Sequence, residues 1–125
     1  MIWTLSQTAL GGAIGASARY LTNVGTMRLV GPAFPWATLL VNILGSLIMG
    51  VLVVALDQKG GMRFAPFLLT GILGGFTTFS AFSLDAVSIW QRGDPVQAAG
   101  YVLGSVVLSI GALILGMALT QGALA

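Results

Sequence analysis

The sequence predicts an all-α integral membrane protein with four transmembrane helices, of which the third is broken within the membrane. The composition supports this class, because 57% of the 125 residues are hydrophobic and only 6% are charged. A soluble domain carries roughly 25% charged residues. The few charges also leave four uncharged stretches, each long enough to cross the hydrocarbon core as a helix. A sequence rich in glycine and hydroxyl residues lies inside the third stretch.

The four predicted spans are separated by turn residues. Glycine and proline favour turns, and they occur between the stretches as Gly31-Pro32, Gly60-Gly61 and Gly93-Asp94-Pro95. Residues 1–125 are therefore predicted to form a single transmembrane domain, with helices over about 4–24, 34–56, 64–88 and 96–121. A cleaved signal peptide is the alternative for the first span, since Ala16-Ser17-Ala18 has the A-x-A form. No Lys or Arg precedes the apolar run, which disfavours that alternative.

The charges between the spans scarcely select an orientation. Four spans place both termini and the second loop on one side, which holds Lys59 and Arg63. The opposite side holds Arg19, Arg28 and Arg92. Orientation follows the Lys/Arg bias, and this bias is close to nil. Two interpretations stay open: one weakly specified orientation, or insertion in both orientations to form an antiparallel homodimer.

Small residues at four-residue spacing predict close contacts between helices. The contacts would form within one subunit or between subunits, and a membrane protein this small is predicted to act as an oligomer. The pairs are Gly11-x-x-x-Gly15, Ser46-x-x-x-Gly50 and Gly100-x-x-x-Gly104.

The stretch GILGGFTTFSAFS, residues 71–83, predicts the break in the third helix. Its glycines lower helix stability, and its hydroxyls offer the backbone alternative hydrogen bonds. A break at membrane depth frees backbone groups that lipid cannot satisfy, so it must be buried in protein or line a cavity. Freed carbonyls at the end of a half-helix can bind a hard cation such as Na⁺. The residues are Gly71, Gly74, Gly75, Thr77, Thr78 and Ser80.

Two further sets of polar residues lie within the predicted spans. Asn42 follows Thr38 by one turn on the same helix face, and it must contact a neighbouring helix or a water-filled path. Tyr101, Ser105 and Ser109 recur every four residues on the last span. This row of hydroxyls either lines the same path or bonds back to carbonyls one turn earlier.

Charged and aromatic residues near the break have several interpretations. Arg19 lies near the end of the first span, and three interpretations are open for it. Its side chain snorkels to the interface, or bonds to carbonyls, or draws anions into a vestibule. Asp85 is the only carboxylate that could lie within the membrane zone. Because it follows the hydroxyl-rich stretch, it is predicted to lie near an aqueous mouth. Phe79 and Phe82 share a helix face beyond the break, where they pack against lipid, against the core, or along the polar path.

Several functional classes are disfavoured. The chain has no cysteine and no histidine, which removes thiol and imidazole chemistry and the usual zinc sites. Five scattered basic residues do not form a nucleic-acid surface, and no nucleophile–base pair suggests an enzyme. A small multidrug exporter requires a membrane carboxylate, which the first span lacks. A non-transporting assembly subunit would need no hydroxyl-rich break, and a sodium channel would need an open cation site.

Three motifs resemble the CrcB/Fluc family of fluoride channels. They are GGAIGASARY at 11–20, PWATLLVNILGSLIMG at 35–50 and TGILGGFTTFSAFS at 70–83. The resemblance covers essentially the whole chain. It implies an antiparallel, dual-topology homodimer in the bacterial inner membrane, with two fluoride pores and a central structural Na⁺. It also implies passive export of fluoride as the activity.

The resemblance also implies a set of site residues. It assigns the Na⁺ ligands to the backbone carbonyls of Gly74 and Thr77, and the vestibule to Arg19. It assigns the fluoride pathway to Phe79, Phe82, Asn42, Thr38, Tyr101, Ser105 and Ser109. Asp85 stands where glutamate is common in the family, which leaves the role of its side chain at the pore mouth open.

Overall fold

The computed structural model describes residues 1–125, and it is entirely helical. The third helix is divided: a 3₁₀ turn at Met62–Phe64 and a π-helix at Pro66–Leu73 run directly into a short α-helix at Gly74–Phe76. The α-helices are α1 (Ile2–Val30), α2 (Trp36–Lys59), α3 (Gly74–Phe76), α4 (Phe79–Gln91) and α5 (Pro95–Leu124).

The helix ends differ from the predicted ones for local reasons. α1 continues to Val30, where Gly31 adopts a φ of 78° and ends it. α5 begins one residue early, because Pro95 occupies its first position and the Asp94 side chain caps it. The Asp94 carboxylate accepts a hydrogen bond from the Gln97 backbone N–H at 3.0 Å.

Three segments are long and apolar enough to cross a membrane: Trp36–Lys59, Met62–Gln91 and Pro95–Leu124. α1 has 29 residues, which is ample length at ~1.5 Å per residue, but it is less apolar than the others. Four helical segments are therefore confirmed, whereas α1 as a fourth span stays a prediction. Its packing along the whole first half of the third helix supports that prediction.

α1 runs parallel to the first half of the third helix. The Gln7 side-chain amide donates to the Arg63 carbonyl at 3.3 Å near one end of this contact, and the Arg19 Nε donates to the Gly75 carbonyl at 3.0 Å near the other. Gly15 lies between them, where a Cβ atom would collide with the Ile72 carbonyl oxygen. The predicted close contact of the first glycine pair is thereby confirmed.

α2 and α5 form the second parallel pair. A Cβ atom on Gly50 would collide with the Leu113 carbonyl oxygen, and one on Gly116 would collide with the Leu47 carbonyl oxygen. A Cβ atom on Gly100 or Gly104 would meet no neighbouring atom within 4 Å, so this predicted pair makes no close contact within the subunit.

Few residues of the chain are buried. Only 17 of 125 residues are buried, and most large apolar side chains point outward, as expected for a protein whose solvent is lipid. The small core consists of Phe82, Ile89, Ala98 and Tyr101, where α4 meets α5. This core places the residues just beyond the break against the last helix.

Candidate functional site

The third helix is interrupted at Thr77 and Thr78. Both residues have extended backbones, with φ/ψ of −87°/160° for Thr77 and −154°/126° for Thr78. Thr78 caps α4, because its hydroxyl oxygen accepts a hydrogen bond from the Ala81 N–H at 3.1 Å. The break predicted from the glycine- and hydroxyl-rich stretch is thus confirmed.

The Asn42 side chain braces the break at two points. The Thr78 N–H donates to the Asn42 Oδ1 at 2.9 Å, and the Asn42 Nδ2 donates to the Thr78 carbonyl at 3.0 Å. A carboxamide carries both a donor and an acceptor, so one side chain satisfies both main-chain groups of Thr78. Asn42 therefore makes the contact with a neighbouring helix that was one of its two interpretations.

This brace leaves two carbonyl groups without their helical donors. In a continuous helix, the Gly74 carbonyl would accept from the Thr78 N–H and the Thr77 carbonyl from the Ala81 N–H. The first N–H bonds to Asn42 and the second to the Thr78 hydroxyl. The freed carbonyls belong to the two residues predicted as Na⁺ ligands, and Gly74 is exposed on the subunit surface.

Arg19 lies at the same end of the first half-helix. Its Nε donates to the Gly75 carbonyl at 3.0 Å, so of its three interpretations the structure shows the bond to a carbonyl. The C-terminal end of a helix carries a partial negative charge, which the guanidinium offsets. Arg19 also lines a cavity of about 280 Å³.

Five predicted pathway residues come together in a groove of about 460 Å³ between α2, α4 and α5, directly beside the break. The groove is defined by the predicted residues Asn42, Phe79, Phe82, Ser105 and Ser109, together with Thr77 and Thr78. The two phenyl rings lie 5.5 Å apart with an interplanar angle of 61°. Phe82 is 7% exposed, whereas Phe79 is 77% exposed and projects from the subunit.

The two serine hydroxyls in the groove have no hydrogen-bond partner. Ser105 Oγ and Ser109 Oγ are both buried and unpaired. Other hydroxyls on the helices bond back to a carbonyl one turn earlier, including those of Thr22, Ser83 and Thr120. The two groove serines do not adopt this arrangement, so these two hydroxyls of the row keep their donors free. A buried polar group without a partner is rare in native proteins.

Thr38 and Tyr101 lie outside the groove. Tyr101 is 2% exposed, and its ring contacts the Phe82 ring in a tilted arrangement with centroids 5.3 Å apart. Its hydroxyl donates to the Asp85 carboxylate at 3.2 Å. Thr38, Asp85 and Arg19 line the 280 Å³ cavity described above. The structure thus places Thr38 in this cavity and not in the groove, and Thr78 lines both.

A polar vestibule leads from the loops towards the break. It consists of the cavity around Arg19 and an adjoining one of about 210 Å³, which share Asn23, Ala37, Thr38 and Asp85. The second cavity extends to Ser88 and Arg92 at the end of α4. Asp85 lines both cavities of this vestibule, and the aqueous mouth near it stays a prediction.

Two residues that contribute to the site were missed in the sequence. Gly45 lies on α2 opposite the break, where a Cβ atom would overlap the Thr77 side chain. Phe34 lies in the loop before α2, and its ring meets the Tyr101 ring edge-on at 5.4 Å. The sequence offered two signals for these residues: a mid-span glycine one turn after Val41, and an aromatic residue inside a turn sequence.

Fold and site together define a small, helical, multi-pass membrane protein with a groove at a helix break, in which two buried serine hydroxyls have no hydrogen-bond partner. The chain belongs to the CrcB family: the family described as CrcB-like protein, Camphor Resistance (CrcB), matches residues 7–117. Similar proteins called "Fluoride-specific ion channel FluC" occur in Cereibacter sphaeroides (65% identical, 98% of each chain covered) and Paracoccus denitrificans (56%, 95% of each). A third, in Agrobacterium fabrum, is 53% identical over 92% of this chain and 94% of its own.

These relatives are bacterial and are named as ion channels. Together with the apolar helices, the family match makes the chain a multi-pass protein of the bacterial inner membrane and not an enzyme. The resemblance seen in the three sequence motifs is thereby confirmed.

The brace at the break generates a prediction for stability. We expect Asn42→Ala to lower the free energy of unfolding, because each buried backbone group left unpaired costs ~1–3 kcal/mol. Asn42→Asp should destabilise as well, since a carboxylate would face the Thr78 carbonyl. Asn23→Ala is the matched control, because Asn23 is exposed on α1. Denaturant titration of the purified protein in detergent measures the three changes, and equal stability of Asn42→Ala and Asn23→Ala would contradict the brace.

Proposed function

We propose that the protein is a fluoride-selective channel that passively exports cytoplasmic fluoride and so protects the cell against fluoride toxicity. The observation that carries this proposal concerns Ser105 and Ser109, whose buried hydroxyls have no hydrogen-bond partner. Both serines line the groove beside Phe79 and Phe82. The names of the similar proteins support the choice of ion. The groove would then be the ion pathway, with Asn42 at its side.

The chemistry of the groove suits a small, strongly hydrated anion. A narrow pathway must replace the water around the ion with hydrogen-bond donors, and serine hydroxyls can donate. A phenyl ring has a positive edge, so Phe79 and Phe82 can each present an edge to the anion. Asn42 also lines the groove, but its carboxamide is already hydrogen-bonded to the backbone of Thr78.

In this proposal a second subunit completes the pathway. Phe79 is 77% exposed and Gly74 lies on the subunit surface, although both belong to the break. The near balance of Lys and Arg between the two sides favours insertion in both orientations. An antiparallel homodimer would cover both residues and would contain two symmetry-related grooves, hence two fluoride pathways.

The freed carbonyls fit a structural Na⁺. Gly74 and Thr77 offer neutral oxygen atoms at the C-terminal end of a half-helix, which is a favourable site for a small hard cation. In an antiparallel dimer, the same two residues of each subunit would hold the ion at the interface. The ion would supply a positive charge that links the two breaks, while the fluoride pathways run beside it.

Passive conduction agrees with the residues in the groove. None of its lining residues is titratable, so the groove provides no group for proton-coupled exchange. Hydrogen fluoride enters cells as a neutral acid and dissociates in the neutral cytoplasm. The negative membrane potential then drives fluoride outward through an open anion pathway, which requires no energy source of its own.

Fluoride efflux from liposomes tests the proposed pathway. We expect valinomycin to trigger rapid fluoride release from potassium fluoride-loaded vesicles containing the protein, and little chloride release from chloride-loaded ones. Ser105→Ala and Ser109→Ala should each slow fluoride release by about tenfold or more, because a hydrogen bond to a charged group contributes ~1.5–3 kcal/mol.

Thr120→Val is the control for these two variants. It removes a hydroxyl from the same helix, but one that already bonds to the Gly116 carbonyl at 2.8 Å. We expect it to leave efflux unchanged. Normal fluoride release by the Ser105→Ala/Ser109→Ala double variant would refute the pathway, and equal release of fluoride and chloride by the wild type would refute selectivity.

The cation site is tested by the dependence of stability on sodium. A ligand that binds only the folded protein stabilises it in proportion to the logarithm of its concentration, by ~2.7 kcal/mol at 100 times its Kd. We therefore expect the unfolding temperature in detergent to rise with NaCl and to stay constant with N-methylglucamine chloride at equal ionic strength. The same response to both salts would argue against a bound Na⁺.

A further inference from the structure

An aromatic ladder connects the loop before α2 to the groove. It consists of Trp36, Phe34, Tyr101, Phe82 and Phe79, and successive ring centroids are 4.6, 5.4, 5.3 and 5.5 Å apart. These distances lie in the range at which aromatic side chains interact. The ladder therefore places a loop residue, Phe34, two contacts away from the buried ring that borders the groove.

The loop that carries Phe34 is held in place by hydrogen bonds to both sides. Arg92, just after α4, donates from Nη2 to the Ala33 carbonyl at 3.3 Å. The Trp36 N–H donates to the Phe34 carbonyl at 2.8 Å. Phe34 also packs against the core of Phe82, Ile89, Ala98 and Tyr101. The position of its ring is thus fixed relative to α4.

Tyr101 transmits the position of Phe34 to Phe82. Its ring meets Phe34 at 90° and Phe82 at 46°, and its hydroxyl is tied to Asp85. Tyr101 is 2% exposed, so it fills its site almost completely. Close-packed interiors transmit displacements, and removal of one ring leaves a space into which its neighbours relax.

We propose that Phe34 is a positioning residue, which determines the position of the Phe82 ring through its contact with Tyr101. The position of the Phe82 ring in turn determines the preference of the groove for fluoride over chloride. The selectivity part rests on the proposed function. The positioning part rests on the ladder alone. The loop between α1 and α2, which does not line the groove itself, would then determine the width of the pathway.

The test uses Phe34→Leu, which removes the ring and keeps apolar volume. Phe34→Tyr keeps the ring and serves as the conservative variant. Phe64→Leu is the matched control, because Phe64 ends the 3₁₀ turn after α2, where the Arg63 guanidinium lies 4.8 Å from its ring centroid, and it takes no part in the ladder. Arg92→Gln releases the loop without changing the core, and it serves where Phe34→Leu fails to fold.

The first measurement is the ratio of fluoride to chloride release from liposomes. We expect Phe34→Leu to lower this ratio by about two- to tenfold, the range that the loss of one aromatic pair allows, and Arg92→Gln to lower it in the same direction. Phe34→Tyr and Phe64→Leu should match the wild type. A purely structural defect would reduce both fluxes together and leave the ratio unchanged, which would overturn the selectivity role.

The second measurement is independent of fluoride conduction. With 4-fluorophenylalanine incorporated at position 82, the ¹⁹F NMR signal in chloride buffer reports the surroundings of that ring. We expect the signal to shift in Phe34→Leu and to stay in place in Phe64→Leu. An unchanged signal in Phe34→Leu would overturn the positioning role. A shifted signal in a protein that releases no fluoride would support that role and refute the proposed function instead.

Discussion

The architecture depends on the two-point hydrogen bond between the Asn42 carboxamide and the backbone of Thr78. An interrupted helix exposes main-chain groups that lipid cannot satisfy. Asn42 satisfies both groups of the residue at which the chain is most extended, and Gly45, one turn later on α2, leaves room for the Thr77 side chain. Because of this brace, the break is a fixed element of the fold. The backbone can therefore present the same atoms at the same place in every copy of the subunit.

A broken helix offers two kinds of electrostatic site at once. The end of α3 carries the partial negative charge of its carbonyls, whereas the start of α4 carries the partial positive charge of its amides. In the proposed function, the first end holds a cation through Gly74 and Thr77. The second end carries Phe79 and Phe82 beside the pathway of an anion. Arg19 donates to the Gly75 carbonyl, so this carbonyl is already hydrogen-bonded, unlike that of Gly74.

The sequence was sufficient for the class of fold, for the break and for five residues that meet in the groove. The class of fold and the break depended on local chemistry, namely hydropathy and weak helix formers, whereas the assignment of the five residues to one pathway followed from the resemblance to the CrcB/Fluc family. The sequence left open whether Asn42 contacts a neighbouring helix or a water-filled path. The answer depended on which backbone N–H the break frees, and only the tertiary arrangement determines that. Thr38 shares a helix face with Asn42, yet it lines the vestibule and not the groove, which the sequence pattern did not predict. The contribution of Phe34 rests on contacts with residues distant in sequence, so no local pattern predicted it.

Hydrogen exchange at the Thr78 amide tests the brace most directly. Thr78 lies outside any helix, so its N–H has no helical acceptor and its protection depends on the Asn42 Oδ1 at 2.9 Å. If Asn42 braces the break, this amide exchanges as slowly as the helical amides on either side of the break. In Asn42→Ala this protection is lost, while the rest of α2 stays protected. Rapid exchange of the Thr78 amide in the wild-type protein would contradict the account, because the break would then be open to water without a brace.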